Sequence, residues 1–81
     1  MSHLNRLKNC FVSSLNVKED QVTDTFSYGQ TGWDSVAHMA LIAAIEQEFD
    51  LMIDTEDVID MSSFSKAKEI VTKYGINLNA E

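Results

Sequence analysis

The chain of 81 residues contains no proline, three glycines and one cysteine. Because proline and glycine interrupt helices and form tight turns, their scarcity argues against a turn-rich all-β fold. A single cysteine, Cys10, cannot form a disulfide within the chain, which agrees with a reducing compartment. No apolar run approaches the roughly 20 residues of a membrane-spanning helix, and the N-terminal segment lacks the apolar stretch of a signal peptide. We therefore expect a small helical protein of the cytoplasm.

Basic residues are also few, and they are unevenly placed. Six Lys and Arg stand against thirteen Asp and Glu, for a net charge of −7, and no Lys or Arg lies between Lys18 and Lys66. An acidic surface repels phosphate backbones and attracts basic protein surfaces, so we do not expect nucleic acid as a partner. Acidic residues also keep small domains soluble, so the charge only indicates the kind of partner.

Apolar residues recur at spacings of three and four over most of the chain, as they do on amphipathic helices. The pattern predicts helices at about residues 3–15, 35–49, 55–60 and 63–74. Three longer helices and one short helix around a single core make a small four-helix bundle. We therefore expect an all-α fold and one domain over residues 1–81.

The segments that flank these helices contain capping residues and one long loop. Residues 16–34 show no helical period but carry apolar anchors, so we expect an ordered loop packed on the helices. Ser2 and Ser63 are expected to cap the first and last helices. At the start of the second helix, either Asp34 or Ser35 can be the cap.

The second helix carries two apolar rows, although a surface helix of a small domain rarely needs more than one. The row expected to face the core consists of Leu41, Ile45 and Phe49. The row on the neighbouring face consists of Val36, Met39 and Ala43, and Glu46 continues it by three residues. This second row is available either for core packing or for an interface.

Ser35 stands where the loop meets the second helix, a position that is compatible with three roles. A residue that caps the helix stabilises it by roughly 0.5–2 kcal/mol, but only one of the two residues Asp34 and Ser35 can have this role. A hydrolase nucleophile needs a base, an acid and an oxyanion hole; the chain has only His3 and His38 as histidines and no G-x-S-x-G motif, which disfavours this role. A covalently attached phosphate fits a helix N-terminus, where free N–H groups and the helix dipole favour an anion.

The chain resembles the acyl carrier proteins in Gly32-x-Asp34-Ser35-Val36, in the helix VAHMALIAAIEQEFD and in the later segment IDTEDVIDMSSFSKAKEIVTKY. The family motif is Asp-Ser-Leu, which here reads Asp-Ser-Val. The resemblance implies that Ser35, with Asp34 beside it, carries a 4′-phosphopantetheine arm installed from coenzyme A by a phosphopantetheinyl transferase. The arm holds an acyl or aminoacyl group as a thioester, and the protein is a shuttle for lipid, polyketide or related biosynthesis, not an enzyme.

The resemblance also implies a docking surface for acyl-loading, acyl-transfer or synthase enzymes with basic surfaces. The residues expected to meet these partners are Val36, Met39, Ala43, Glu46, Glu56 and Asp57. The residues expected to line the core, where a family member can fold its acyl chain, are Leu41, Ile45, Val58, Met61 and Phe64. The acids from Asp50 to Asp60 lack the EF-hand pattern, so no metal site is expected. We also expect a monomer that does not bind membranes.

Departures from the family pattern leave the pathway and two residue roles open. Ala37, Ala40 and Gln47 stand where acids are common in the family, and Trp33 resembles carriers of polyketide, nonribosomal-peptide or sugar-modifying pathways. Trp33 is either a loop residue across the helix ends or a contact beside the arm. His38 either is a solvated or satisfied residue or faces the arm or a partner. The alternative functions are an aminoacyl or peptidyl carrier and an unmodified acidic adaptor that only binds partners.

Overall fold

The computed structural model describes residues 2–78, which fold into α-helices joined by loops. The helices are α1 (His3–Leu15), α2 (Ser35–Phe49), α3 (Thr55–Asp60) and α4 (Phe64–Lys73). Between residues 2 and 78 no strand forms, and extended backbone meets only at an isolated bridge between Ser27 and Ser63. The predicted all-α bundle of three longer helices and one short helix is therefore confirmed. No described helix combines the length and apolar character needed to cross a membrane.

Serine hydroxyls cap the N-termini of the first and last helices, as predicted. Ser2 and Ser63 each accept a hydrogen bond from the backbone N–H three residues further on, at 3.1 Å and 3.0 Å respectively. Each such cap satisfies a donor that the helix leaves unpaired and stabilises it by about 1 kcal/mol. The short helix α3 differs, because Asp54 occupies its N-cap position without a side-chain capping bond.

The core is one cluster of apolar side chains from the three longer helices and the loop between α1 and α2, with Ile53 and Met61 from either side of α3. Its buried helical members include Leu7, Phe11, Leu15, Leu41, Ile42, Ile45, Phe64, Ala67, Ile70 and Val71. Phe49 packs against the core, as predicted, but it is only half-buried at the rim, where the Arg6 guanidinium lies 5.0 Å from the ring centroid. Val58, a second predicted core residue, is also only half-buried.

The loop at residues 16–34 is ordered and packs on the bundle, as predicted. Its buried anchors are Val17, Val22, Phe26 and Trp33. Gly32 has a φ of +75°, and a Cβ at this position would overlap the carbonyl oxygen of Leu15. Glycine is therefore required here for its backbone conformation and for the close approach of the loop to α1. This approach delivers Trp33 to the core immediately before α2 begins.

Candidate functional site

Ser35 is the first residue of α2, and its side chain is exposed to solvent. The residue before it, Asp34, is the N-cap, and its Oδ1 accepts a hydrogen bond from the Ala37 N–H at 2.8 Å. The sequence left the choice of cap open, and the structure assigns it to Asp34. The Ser35 hydroxyl makes no hydrogen bond with any residue between 2 and 78. It is therefore accessible to a group that approaches from solvent.

The position of this hydroxyl favours an attached anion. The first N–H groups of α2 have no acceptor within the helix. The Asp34 side chain binds one of them, that of Ala37, and the others stay available. These groups and the helix dipole stabilise a nearby negative charge by roughly 0.3–1 kcal/mol. An exposed serine oxygen at this place is a suitable acceptor for a phosphodiester.

His38 is one turn after Ser35, but its ring is engaged elsewhere. The Trp33 indole N–H donates to His38 Nδ1 at 3.0 Å, and His38 Nε2 lies 2.7 Å from the carbonyl oxygen of Val58. Indole nitrogen is a donor only, so Nδ1 is the acceptor and Nε2 carries the proton that binds Val58. This imidazole has no free nitrogen with which to activate Ser35, which agrees with the sequence argument against a hydrolase. Of the predicted alternatives, the structure agrees with a satisfied histidine, because both ring nitrogens have a hydrogen-bond partner.

Trp33 is a core residue, with 1% of its surface exposed. Its ring lies edge-on to Phe11 and tilted against Phe26, with centroids 5.3 Å apart in both pairs, and it stacks on His38 at 6.0 Å. Trp33 is thus a loop residue that packs on the helices, in agreement with the first of the two expectations, and its burial leaves no surface for a contact beside an arm. Burial of the indole was not visible in the sequence, because the helical period does not extend into the loop.

An apolar groove of about 410 Å³ opens between α2 and α3 and includes Ser35 among its lining residues. The other residues that line it include Tyr28, His38, Met39, Val58, Ile59 and Met61. Within the described chain, no carboxylate and no Lys or Arg lines this groove. The groove can therefore shelter an apolar group that is tethered at Ser35.

Exposed apolar side chains continue from the groove along the outer face of α2. Val36 is 79% exposed and Met39 is 60% exposed, and Ala43 is exposed one turn further on. Ile59 of α3, which is 74% exposed, adds to this surface. Ile59 was not predicted from the sequence as part of this surface. The signal was available, because adjacent residues of a helix point in different directions, and Val58 was already expected to face the core. The second apolar row of α2 is therefore exposed and does not belong to the core.

Asp57 was expected on the partner surface, but only 6% of its area is exposed. Lys73 Nζ donates to its Oδ1 and the Tyr74 hydroxyl donates to its Oδ2, both at 2.6 Å. The hydrogen bond from Lys73, followed by that from Tyr74, lowers the pKa of the Asp57 carboxyl, and the same contact raises the pKa of Lys73. Asp57 therefore ties α3 to α4, and the prediction that it meets partners is wrong. The neighbouring Glu56 is exposed.

Glu46 also has a structural contact. Its side chain is half-buried, and its Oε2 accepts a hydrogen bond from the Ile53 N–H at 2.8 Å. This bond holds the loop between α2 and α3 against the end of α2. The carboxylate of Glu46 is consequently less available to a partner than the exposed acids Asp34 and Glu56 are.

Cys10 carries the thiol of this chain, and it is buried in the core on α1. Burial, with a smaller effect from the nearby Glu48 carboxylate, raises the pKa of the thiol to about 11. The thiol therefore stays protonated at neutral pH, and a protonated, buried thiol is a poor nucleophile. This environment does not suit a cargo-bearing sulfur.

A comparison with known protein families gives one match that covers most of the chain. Residues 5–71 match a family model described as "Phosphopantetheine attachment site". The matched segment begins in α1, includes all of α2 and α3, and ends in α4. Domains of this family are the sites at which 4′-phosphopantetheine is covalently attached.

Proposed function

This chain belongs to the phosphopantetheine attachment site family, and from that membership we propose that it is an acyl carrier protein with its arm attached to Ser35. The observation that carries the attachment site is the exposed Ser35 hydroxyl at the start of α2, beside the capping residue Asp34. The chain is a single carrier domain, and it acts as a substrate and shuttle for enzymes. When bound, the arm supplies a thiol that holds cargo as a thioester.

The residues around Ser35 suit this modification. Asp34 binds one N–H of the first turn and keeps the end of α2 in place, while the remaining N–H groups and the helix dipole favour the phosphodiester. Ser35 Oγ must lose its proton when it bonds to phosphorus, while the pyrophosphate bond of coenzyme A breaks and adenosine 3′,5′-bisphosphate leaves. Both nitrogens of His38 are engaged with Trp33 and Val58, so the base that takes this proton is supplied by the phosphopantetheinyl transferase.

We infer that the cargo is an acyl group, on the basis of the groove beside Ser35. Its lining is largely apolar, which favours a hydrocarbon chain through the hydrophobic effect. An aminoacyl cargo would bring an ammonium group, and none of the described residues that line the groove is a carboxylate that could pair with it. Lipid and polyketide biosynthesis both use acyl groups as cargo.

The partner surface consists of the exposed apolar row of α2 together with acids at its edges. Its apolar members are Val36, Met39, Ala43 and Ile59. Asp34 and Glu56 are exposed acids on the two helices that bear this row, and they attract enzymes with basic surfaces. We propose that the chain meets the transferase and its loading and synthase enzymes here as a monomer in the cytoplasm.

Intact mass spectrometry of the protein isolated from its own cells tests the proposed function. We expect the chain mass plus one phosphopantetheine, with a further mass that hydroxylamine removes because it cleaves thioesters. The released hydroxamate identifies the cargo, and a free amino group on it would favour the aminoacyl carrier instead. An unmodified chain under every growth condition would favour the acidic adaptor.

The docking surface gives a separate prediction for Val36→Asp. Because the Val36 side chain is 79% exposed, the variant should keep its free energy of unfolding within about 0.5 kcal/mol of the wild type. A charge in the centre of an apolar interface should nevertheless lower kcat/KM for a broad-specificity phosphopantetheinyl transferase by about tenfold or more. The measurements are transferase kinetics and thermal denaturation followed by circular dichroism.

The matched control for this variant is Met52→Asp. Met52 is also an exposed apolar residue, but it lies on the loop between α2 and α3 and outside the groove. We expect its transferase kinetics to equal those of the wild type. A large loss of thermal stability in Val36→Asp would place Val36 in the core, and unchanged kinetics would remove it from the docking surface.

A further inference from the structure

The short helix α3 is held in place by polar contacts together with the apolar packing of Val58 and of its C-cap residue Met61 against the core. Six residues are too few for a helix that is stable alone in water, so α3 depends on its neighbours. Asp57 is its one buried residue, and it binds Lys73 and Tyr74 at the end of α4. On the other side, His38 of α2 donates a hydrogen bond to the Val58 carbonyl.

The Val58 carbonyl needs this external donor. It is among the last four carbonyls of α3, which have no partner within a helix unless the next turn supplies one. Ser62 is the residue whose N–H would bond to Val58 in a longer helix, but it donates to the Asp60 carbonyl at 2.7 Å instead. His38 Nε2, at 2.7 Å, therefore satisfies the carbonyl that the end of α3 leaves unpaired.

The Trp33 indole fixes the direction of this contact. Since its N–H donates to Nδ1, the imidazole is held in the tautomer with the proton on Nε2, and it can donate to Val58. Tyr28 contacts the ring edge-on, with centroids 5.7 Å apart. The ring thus has a set orientation between the buried loop and α3.

His38 and Val58 are both lining residues of the groove that contains Ser35. We propose that His38 is a latch that holds the two walls of this groove together and limits the length of cargo chain that the groove accommodates. The proposal rests on the proposed function, because the cargo reaches the groove from Ser35. When the bond from Nε2 is absent, Asp57 still ties α3 to α4, and the Val58 side of α3 can move away from α2. His38 is therefore a specificity-determining residue and takes no part in attachment of the arm.

Two substitutions of His38 distinguish the effect of its hydrogen bond to Val58 from that of its hydrogen bond to Trp33. In His38→Asn, the side-chain oxygen can accept from the Trp33 indole, but no group reaches Val58. In His38→Gln, the longer amide places an N–H₂ group near the position of Nε2 and can donate to the Val58 carbonyl. The pair therefore tests the bond to α3 while each variant keeps a polar side chain at a half-buried position.

Hydrogen exchange on the unmodified protein provides the first measurement. The amides of Val58 and Met61, which bond within and at the end of α3, should exchange about threefold to tenfold faster in His38→Asn, the range expected for loss of one hydrogen bond. His38→Gln should exchange like the wild type. Unchanged exchange in His38→Asn would overturn the latch. If His38→Asn does not fold, faster exchange of α3 in the folded His38→Gln would overturn it as well.

Thioester protection provides the second measurement. Each protein is loaded through coenzyme A thioesters with saturated acyl chains of increasing length, and the rate of cleavage by hydroxylamine is measured. In the wild type, protection of the thioester should stop increasing at a shorter acyl chain than in His38→Asn. The thioesters of the longest chains should be cleaved about threefold more slowly in His38→Asn than in the wild type. Faster exchange of α3 with an identical protection profile would overturn the role in cargo length. If no protein is loaded at Ser35, the proposed function is wrong. The hydrogen-exchange result alone then shows whether His38 holds α3 against α2.

Discussion

Replacing Ser35 with alanine should abolish the gain of one phosphopantetheine mass that the wild-type apo-protein shows with coenzyme A and a broad-specificity transferase. The effect should be complete, because alanine has no oxygen with which to form the phosphodiester. The fold should be unaffected, since the side chain is exposed, Asp34 caps α2, and alanine is a favourable helix residue. Intact mass spectrometry measures the modification, and thermal denaturation tests the fold.

Ser62→Ala is the matched control. Ser62 is a second exposed serine that lines the same groove, so the transferase meets it in similar surroundings, but it does not begin a helix. Its variant should be labelled like the wild type. Equal labelling of Ser35→Ala would show that the arm is attached elsewhere. If Ser35→Ala is unlabelled but fully functional in its native cell, the acidic adaptor would be the better explanation.

Trp33→Ala should produce the largest loss of stability among substitutions at this end of the bundle. The indole is 1% exposed and contacts Phe11, Phe26 and His38, so alanine would leave a cavity in the core. Removal of a buried tryptophan typically costs about 3–5 kcal/mol, which is a large part of the roughly 5–15 kcal/mol that stabilises a domain. In a chain of this size, the loss corresponds to a fall in Tm of more than about 12 °C.

Thermal denaturation followed by circular dichroism checks this expectation, with Tyr28→Ala as the control. Tyr28 belongs to the same aromatic cluster, but it is exposed, so its removal should cost about 1 kcal/mol. Trp33→Phe retains a ring and loses only the indole N–H with part of the volume, and its Tm should lie between those of the wild type and Trp33→Ala. A Tm of Trp33→Ala within a few degrees of the wild type would contradict the burial of this residue.

The acidic composition of the chain serves two purposes, and only the structure separates them. Asp57 and Glu46 are used to hold α3 and the loop before it, through Lys73, Tyr74 and the Ile53 N–H. Asp34 and Glu56 remain exposed. A carboxylate that is buried or half-buried against its partner in the fold is less accessible to an incoming basic surface than an exposed one. The effective docking charge is therefore smaller than the net charge suggests.

Much of the architecture could be predicted because it depends on local patterns. The apolar spacing of α1, α2 and α4 and the serine caps act over three or four residues, and neighbouring sequence is sufficient to reveal them. The second apolar row of α2 was visible for the same reason. The same local pattern placed Phe49 on the core face, but not at the rim where it is only half-buried, because the position of a residue on a helix face does not show where the core ends.

The long-range polar contacts could not be predicted. His38 meets Val58 twenty residues later, and Asp57 meets Lys73 sixteen residues later. The helical period places a side chain on a face of its own helix, but it does not specify which group from another helix lies opposite. Trp33 belongs to the same class, since its burial depends on how closely the loop passes α1 at Gly32.

The helical fold and an exposed hydroxyl at the start of α2 thus follow from spacing and capping, which are properties of short segments. The assignment of Asp34 as the cap, the use of Asp57 and His38 to hold α3, and the groove beside Ser35 exist only once the helices are packed. The physical reason is that hydrogen bonds between helices require groups to lie within about 3 Å of each other, a condition that packing satisfies and sequence spacing does not encode.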